Sequence, residues 1–482
     1  MPEINLLDYQ KQIVDKTMAD LDNYQASINC CEQGLGKTVM TLSVIERKNP
    51  EFILIVAPKI TLKNWIDEVK KFTSKSVMLF NRSNSIDEII DYDIVVTNYE
   101  LLYHRGYNGS LTSCLHNIDW DLIIFDECHN IKNVKTKKFQ SATLLKGTDK
   151  ILLSGTPISA SSDLNISREF HAYIEILRID TDEFKEIFQR KLAGSVNALP
   201  QVKHENLALK MDTEHEAIYN QLGLHQEPEN NEFDHKNYIR DKLTIAGLTQ
   251  DLIDSILAPP LGIASFSRKK YIASNPNMVF DVLNNVALQD YTKPEQIQRF
   301  DEEKLTKIIK LKSLIKPNDK CLIITNYKNE NELIYSELSK LGYNVAQING
   351  DTKQDARDEI IEKSKFKFDE IFNENTSLNI LPVDVQELIF KQFKTNVIVA
   401  NISTVSTGIN LQHFNKMILY GIPNSLINYS QVMSRIVRIG SPHTHVNIYN
   451  LIYEDTVEVD ILEKHNKKLN KMIDIENYVM NL

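Results

Sequence analysis

The sequence predicts an α/β protein: two doubly wound parallel sheets with a mostly helical region between them and a short helical insert in the second. Three observations carry this. In roughly the first 180 residues, short apolar runs ending in a breaker recur, with helical periodicity between them. From 181 to 300 the apolar runs give way to charged, helix-like sequence. From 301 to 482 the apolar runs return, interrupted by a helical insert at about 362–390.

In the first block "FILIVAP" (52–58) has the continuous apolar character of a strand buried on both faces. "LKNWIDEVKKF" (62–72) follows, with Leu62, Trp65, Ile66, Val69 and Phe72 on one helical face. "YDIVVTNY" (92–99), "DLIIFD" (121–126) and "KILLSGTP" (150–157) supply further strands, and strand–helix–strand order argues for a parallel sheet. The middle block offers "DTEHEAIYNQL" and "DVLNNVAL" as helical stretches and a polar loop at 223–237. In the last block the strands are "DKCLIITNY", "YNVAQING", "TNVIVAN", "KMILYG" and "HVNIYNLI", with "NENELIYSELSKL" as a helix between the first two.

A chain of 482 residues, 42% hydrophobic and 25% charged, has room for two or three domains with substantial cores. No apolar run approaches the ~20 residues of a membrane span, and the N-terminus lacks the basic and apolar regions of a secretory signal. Five cysteines without a CxxC pair give no disulfide framework or zinc module, so a reducing cytosol is the expected setting. A net charge of −10 argues against non-specific coating of nucleic acid but leaves room for a local basic groove.

"NCCEQGLGKTVM" (29–40) has the context of a phosphate-binding loop, after a strand and before a helix. Gly34 and Gly36 permit close backbone approach, Lys37 reaches the β and γ phosphates, and Thr38 offers a hydroxyl to Mg²⁺. The first Gly of the full pattern is replaced by Cys31.

"DLIIFDECHNIKN" (121–133) sets Asp, Glu, Cys and His side by side. Such a set can serve a transition metal, a thiol pair or the magnesium of a nucleotide. Zinc wants more Cys or His nearby, and adjacent residues on an extended segment point apart. The reading that fits is Asp126 holding Mg²⁺ and Glu127 polarising the attacking water, with Cys128 filling space and His129 coupling nucleotide state to polar neighbours.

"LLSGTPI" (152–158) adds Ser154 and Thr156 on a loop after a strand, placed to sense hydrolysis. "STVSTGINLQ" (403–412) is a polar loop behind a later strand. In "QVMSRIVRIG" (431–440), Gln431, Arg435 and Arg438 share a helical face. Unpaired cations among Val, Met and Ile are costly, so these arginines call for a partner or ligand, such as the γ-phosphate across a cleft.

Together and in this order, the motifs resemble those of the superfamily 2 helicase-like ATPases, most closely the Swi/Snf-type DNA translocases, over nearly the whole chain. "LLDYQKQ" is similar to the family's adenine-recognition segment, with Gln10 in the matching place. "EQGLGKT", "VAPKITLKNW", "DECHNIKN", "LLSGTPI", "ISTVSTGINLQ" and "QVMSRIVRIGS" resemble its successive motifs. Departures are Ser441 in place of a frequent Gln, Ser406-Thr407 in place of a Gly-rich turn, and an insert shorter than that of chromatin remodellers.

The resemblance implies two RecA-like lobes with ATP and Mg²⁺ between them. Gln10, Gln33, Gly34, Leu35, Gly36, Lys37, Thr38 and Val39 would bind ATP, and Thr38 and Asp126 the Mg²⁺. Lys37, Asp126, Glu127, Gln431, Arg435 and Arg438 would carry catalysis, and His129, Ser154, Thr156 and Gly408 the coupling. Lys59, Thr97, Thr404 and Asn410 would contact the backbone of duplex DNA, which gives salt-dependent, largely unspecific binding. The expectation is a monomeric DNA-stimulated ATPase moving on duplex DNA, directed by a protein partner, in the cytoplasm or nucleoid of a bacterium or in a virus-infected cell. Two other readings are a strand-separating or branch-migrating helicase and an ATP-gated assembly factor of a transcription or replication complex.

Overall fold

A computed structural model describes residues 4–103, 111–158, 163–192, 195–196, 198–220, 240–241, 244, 253, 263–281, 299–316, 319–365, 382, 385, 396–405, 410–480 and 482. It holds two parallel sheets. The first comprises β1 (Ala26–Asn29), β2 (Ile53–Ala57), β3 (Val77–Leu79), β4 (Ile94–Asn98), β5 (Trp120–Asp126), β6 (Gly147–Leu153) and β7 (Phe188–Gln189), in the order β3-β4-β2-β5-β6-β1-β7. The second comprises β8 (Gln201–Leu209), β9 (Cys321–Thr325), β10 (Val345–Ile348), β11 (Val397–Asn401), β12 (Lys416–Leu419) and β13 (His445–Tyr453), in the order β10-β11-β9-β12-β13-β8.

Both sheets are covered on two sides, and the sequence shows why. Along β2 and β4 every residue is buried, so these strands read as unbroken apolar runs. Alternate residues serve opposite faces: Leu54, Val56, Val95 and Phe125 pack in one cluster, Ile53, Ile55, Ile94 and Ile124 in another. The helix Leu62–Phe72 seats Leu62, Trp65 and Val69 on the second face, as its spacing predicts. The register aligns Asn29 with Leu153, Leu153 with Asp126, and Ala57 with Asn98. One edge of the sheet thus gathers the carboxyl ends of its strands, the place where open α/β sheets present ligand-binding loops.

Two strands lie inside the segment expected to be mostly helical. β7 pairs with β1 and extends the first sheet beyond residue 180, and β8 pairs with β13 along nine residues. β8 is an edge strand with most of its side chains exposed or half-buried, so it lacks the apolar run that marks a central strand. The short edge strand β3, half-exposed, carries no such signal either. The helix Thr213–Ile218 falls where helical sequence was expected. The polar loop at 223–237 lies outside the described residues, as do nearly all of "DVLNNVAL" and most of the 362–390 insert, whose first residues end the helix Gln354–Lys365.

The chain returns to the first lobe at its end. Helix Ile475–Met480 packs on helix Asp163–Leu177, with Ile475 and Val479 buried in the cluster that includes Phe170 and Tyr173. No helix among the described residues is long and apolar enough to cross a membrane.

Candidate nucleotide site between the lobes

The loop between β1 and the helix Lys37–Lys48 turns through two left-handed glycines, Gly34 (φ 82°) and Gly36 (φ 81°). Gly36 is the N-cap, so the helix presents its first amides to the cleft, a ready anion site. A Cβ on Gly36 would lie 2.6 Å from Gln10 Nε2. Lys37 Nζ donates to the carbonyls of Cys31 (2.9 Å) and Glu32 (3.3 Å), which holds the ammonium over its own loop.

β5 delivers the carboxylates. Asp126 is its last residue; Trp65 Nε1 donates to Asp126 Oδ2 at 2.9 Å, and the Glu127 amide donates to Oδ1 at 3.0 Å. Glu127 adopts φ 50°, a left-handed conformation that costs a non-glycine residue about 1 kcal/mol and that clusters at functional sites. That turn sets its carboxylate against Ser154 and His129. Ser154 Oγ donates to Glu127 Oε2 at 3.3 Å, and His129 Nδ1 lies 3.2 Å from the same oxygen and 3.3 Å from Ser154 Oγ. The Thr156 amide donates to Ser154 Oγ at 3.2 Å. The expected coupling residues His129, Ser154 and Thr156 are therefore in one network; Gly408 lies outside the described residues.

Electrostatics separates the two carboxylates. Burial pushes Asp126 above the usual carboxylate range, and the charge of Glu127 pushes it further. Burial also acts to raise Glu127, but the hydrogen bond and charge of His129, with Lys37 and Arg435 behind them, hold it low. Cys128 is fully buried in the core cluster, where it fills space and burial raises its thiol pKa.

The second lobe supplies the opposite wall. Helix Leu426–Ile436 carries Arg435, whose Nε donates to the Val405 carbonyl at 3.1 Å. Burial, reinforced by neighbouring Arg438, brings its pKa down to about 10 despite the charge of Glu127. One cleft is lined by Gln33, Gly34, Gly36, Lys37, Thr38 and Val39, by Asp126 and Glu127, and by Arg435 and Arg438. Residues from three separate motifs thus meet in one place.

Three expected site residues stand elsewhere. Gln10 is buried and engaged: Leu7 N donates to its Oε1 at 2.9 Å, and its Nε2 donates to the Leu35 carbonyl at 3.1 Å. It braces the loop and is not in the cleft lining. The Leu35 side chain points into a small cluster with Cys31. Gln431 is half-buried one turn before Arg435, also away from the cleft. Conversely, Asn64, Trp65, Glu68 and Ser434 line the cleft without having been singled out for it. For Trp65 the signal was present but read as packing.

Of the expected nucleic-acid contacts, Lys59 and Asn410 are exposed and line one groove with Lys63, Arg357 and Lys365, across the two lobes. Thr97 does not fit that role: it is 0% exposed in β4, an inner strand whose residues are all buried. Thr404 is likewise buried, in the helix Ile402–Val405, away from the groove. Lys270, in a basic run, is buried and donates to Asn424 Oδ1 at 2.8 Å.

The chain matches the model of the SNF2-related domain over residues 9–198 and that of the helicase conserved C-terminal domain over residues 303–380 and 376–440. It is 25% identical to the putative ATP-dependent helicase/translocase YwqA of Bacillus subtilis, over 94% of this chain and 47% of that protein. It is 24% identical to mouse SWI/SNF-related matrix-associated actin-dependent regulator of chromatin subfamily A member 1, over 96% of this chain and 43% of that one. The chain thus spans just under half the length of these relatives. A solved structure described as the Sulfolobus solfataricus SWI2/SNF2 ATPase core in complex with dsDNA aligns at 21% identity and a TM-score of 0.37, over 98% of this chain and 93% of that one. The chain thus carries an SNF2-related domain on its first lobe and a helicase conserved C-terminal domain on its second, and along nearly its whole length it is similar to Swi/Snf-type ATP-dependent helicases.

Proposed function

We propose that this chain is a motor that hydrolyses ATP when bound to DNA and moves along the duplex without separating its strands. The observation that carries the reading is the shared cleft, where Lys37, Thr38, Asp126 and Glu127 of one lobe face Arg435 and Arg438 of the other. A triphosphate in that cleft meets the helix N-terminus at Gly36, the Lys37 ammonium and two guanidinium groups. The side chains that would hold a metal are hard oxygen donors, the Thr38 hydroxyl and the Asp126 carboxylate, and such a donor set fits Mg²⁺. Bound there, Mg²⁺ would neutralise charge on the phosphates.

Glu127, kept ionised by His129, accepts a hydrogen bond from the attacking water. Arg435 and Arg438 answer the charge that develops on the transferred phosphoryl group. Because the cleft belongs to both lobes, a change at the γ-phosphate changes how the lobes meet, and the groove between Lys59 and Asn410 changes with it. Relatives named as ATP-dependent helicases or translocases support the reading.

The test is the steady-state ATPase rate with duplex DNA, single-stranded DNA and RNA, together with displacement of a third strand from a triplex. Stimulation by duplex and triplex displacement are expected. Stronger stimulation by single strands, or unwinding of a forked duplex, would overturn duplex translocation in favour of strand separation.

A further inference from the structure

β7 ends at Gln189, and the next residue sends a charged side chain beneath the phosphate loop. The Arg190 side chain is 2% exposed. Its Nη1 donates to the Cys30 carbonyl and, at 3.2 Å, to the Gly155 carbonyl; its Nη2 lies 3.4 Å from Glu32 Oε1. The flanking main chain grips the same loop, with Cys30 N donating to Gln189 O at 2.8 Å and Glu32 N to Lys191 O at 2.9 Å.

Gly155 is the point where two loops touch. A Cβ there would lie 2.4 Å from Gln33 Cγ and 3.3 Å from Lys37 Nζ. On either side stand Ser154, which donates to Glu127, and Thr156. One buried guanidinium therefore clamps the loop that carries Lys37 to the loop that carries the partner of Glu127. Burying such a charge is costly until its partners answer it, and an apolar side chain would fill the same space without that cost.

We propose that Arg190 is a positioning residue for ATP hydrolysis. It touches no reacting atom; it fixes the phosphate loop and the Ser154–Thr156 loop relative to each other, so that Lys37 and Glu127 hold one geometry about the phosphoryl group. This rests on the reading of the chain as an ATPase. The fork of an arginine can hold carbonyls of two loops and a carboxylate together, which the single ammonium of lysine cannot do in the same geometry.

The experiment compares wild type with Arg190→Lys, Glu32→Gln and, as a stability control, Lys150→Met. Lys150 is another buried cation of the first sheet, with Nζ donating to the Ile176 carbonyl at 2.8 Å, remote from the phosphate loop. Expected for Arg190→Lys is a kcat about tenfold or more below wild type with KM for ATP within about threefold, since small misplacements cost rate more than binding. Glu32→Gln, at a partly exposed position, should show the same split more weakly, and it keeps the test open if Arg190→Lys does not fold. Lys150→Met, which exchanges a buried cation for an apolar side chain, should leave kcat alone whatever its effect on Tm. Arg190→Lys behaving as Lys150→Met does, or raising KM with kcat intact, would overturn the proposal. If Arg190→Lys does not fold, a Glu32→Gln kcat equal to wild type does the same. A wild-type chain without ATPase activity would remove the underlying reading itself, a result no variant can mimic.

Discussion

Ser434, on the helix that carries Arg435, donates its hydroxyl to Gln33 Oε1 of the phosphate loop at 3.3 Å, joining the two lobes directly at the nucleotide cleft. Beside this contact the main chains come close: a Cβ on Gly34 would lie 2.8 Å from the Val437 carbonyl. How tightly the lobes meet is thus set by a glycine as well as by the charges across the cleft.

Gly34→Ala tests that relationship. The new methyl faces the Val437 carbonyl, and the residue must also keep φ 82°, which alanine resists by about 1 kcal/mol. The lobes are expected to part, with the ATPase rate falling about tenfold, as for other small displacements of a catalytic group. Folding of the variant should stay cooperative by thermal unfolding. Unchanged activity would show that the cleft tolerates the wider spacing.

Lys37→Ala and Glu127→Gln separate binding from chemistry. Lys37 lines the cleft at the start of its helix, so under the proposed function its loss should weaken ATP binding and also abolish turnover. Glu127→Gln keeps the shape and the hydrogen bond from Ser154 but loses the charge that His129 stabilises. Turnover is expected to fall about 100-fold or more with ATP affinity retained, measured with a fluorescent nucleotide. Residual turnover near wild type would remove Glu127 from its role.

The chemistry-bearing segments were legible for a physical reason. β2 is buried along its whole length and β5 from Leu122 to Phe125, so both are apolar there and the polar residues that come next, Asp126 and Glu127 above all, stand out. What was not legible depends on contacts between distant segments. Nothing local marks Ser434 as the partner of Gln33, or Arg190 as the clamp on Gly155. Thr97 was carried over from the family resemblance, whereas here β4 is enclosed on both sides. β8 escaped because its place in the sheet comes from main-chain pairing with β13 at an edge.

A buried ion pair lies within the second lobe. Lys307 Nζ lies 2.6 and 2.7 Å from the two oxygens of Glu458, at 0% and 3% side-chain exposure, between the rings of Tyr420 and Tyr453. Lys307→Met leaves the carboxylate without its partner and should cost about 3–5 kcal/mol of stability. The double variant with Glu458→Gln should recover part of that loss in denaturant unfolding. Additive losses would show that the two residues act separately.

His215 makes the fold sensitive to mild acid. Burial lowers its pKa to about 4 from 6.5, while its Nε2 donates to the Ile272 carbonyl at 2.6 Å. Between those values the unfolded chain binds the proton and the folded chain does not. Stability contributed by the neutral ring is therefore full above about pH 6.5 and declines as pH falls toward 4, by up to about 1.4 kcal/mol per unit. Urea unfolding from pH 7 to 5 should show a shallower decline in His215→Gln than in wild type, and parallel curves would assign the acid sensitivity to other groups.

Trp65→Phe reaches Asp126, the proposed Mg²⁺ ligand, through a single hydrogen bond. The indole donates to Asp126 Oδ2 at 2.9 Å, and phenylalanine keeps most of the ring in the core while removing the donor. Two effects then oppose each other. Losing the donor raises the Asp126 pKa further, which favours the protonated acid, and it frees the carboxylate to turn away from Thr38. A more basic oxygen also binds a cation more strongly once deprotonated. Orientation outweighs basicity where outer partners of metal ligands have been removed, with losses of about 10–100-fold in affinity. The expected result is a rise of about tenfold in the Mg²⁺ concentration that half-saturates ATPase activity, with near-normal kcat at saturating Mg²⁺. A fall in kcat at saturating Mg²⁺ without that rise would place the indole's effect on Glu127 instead.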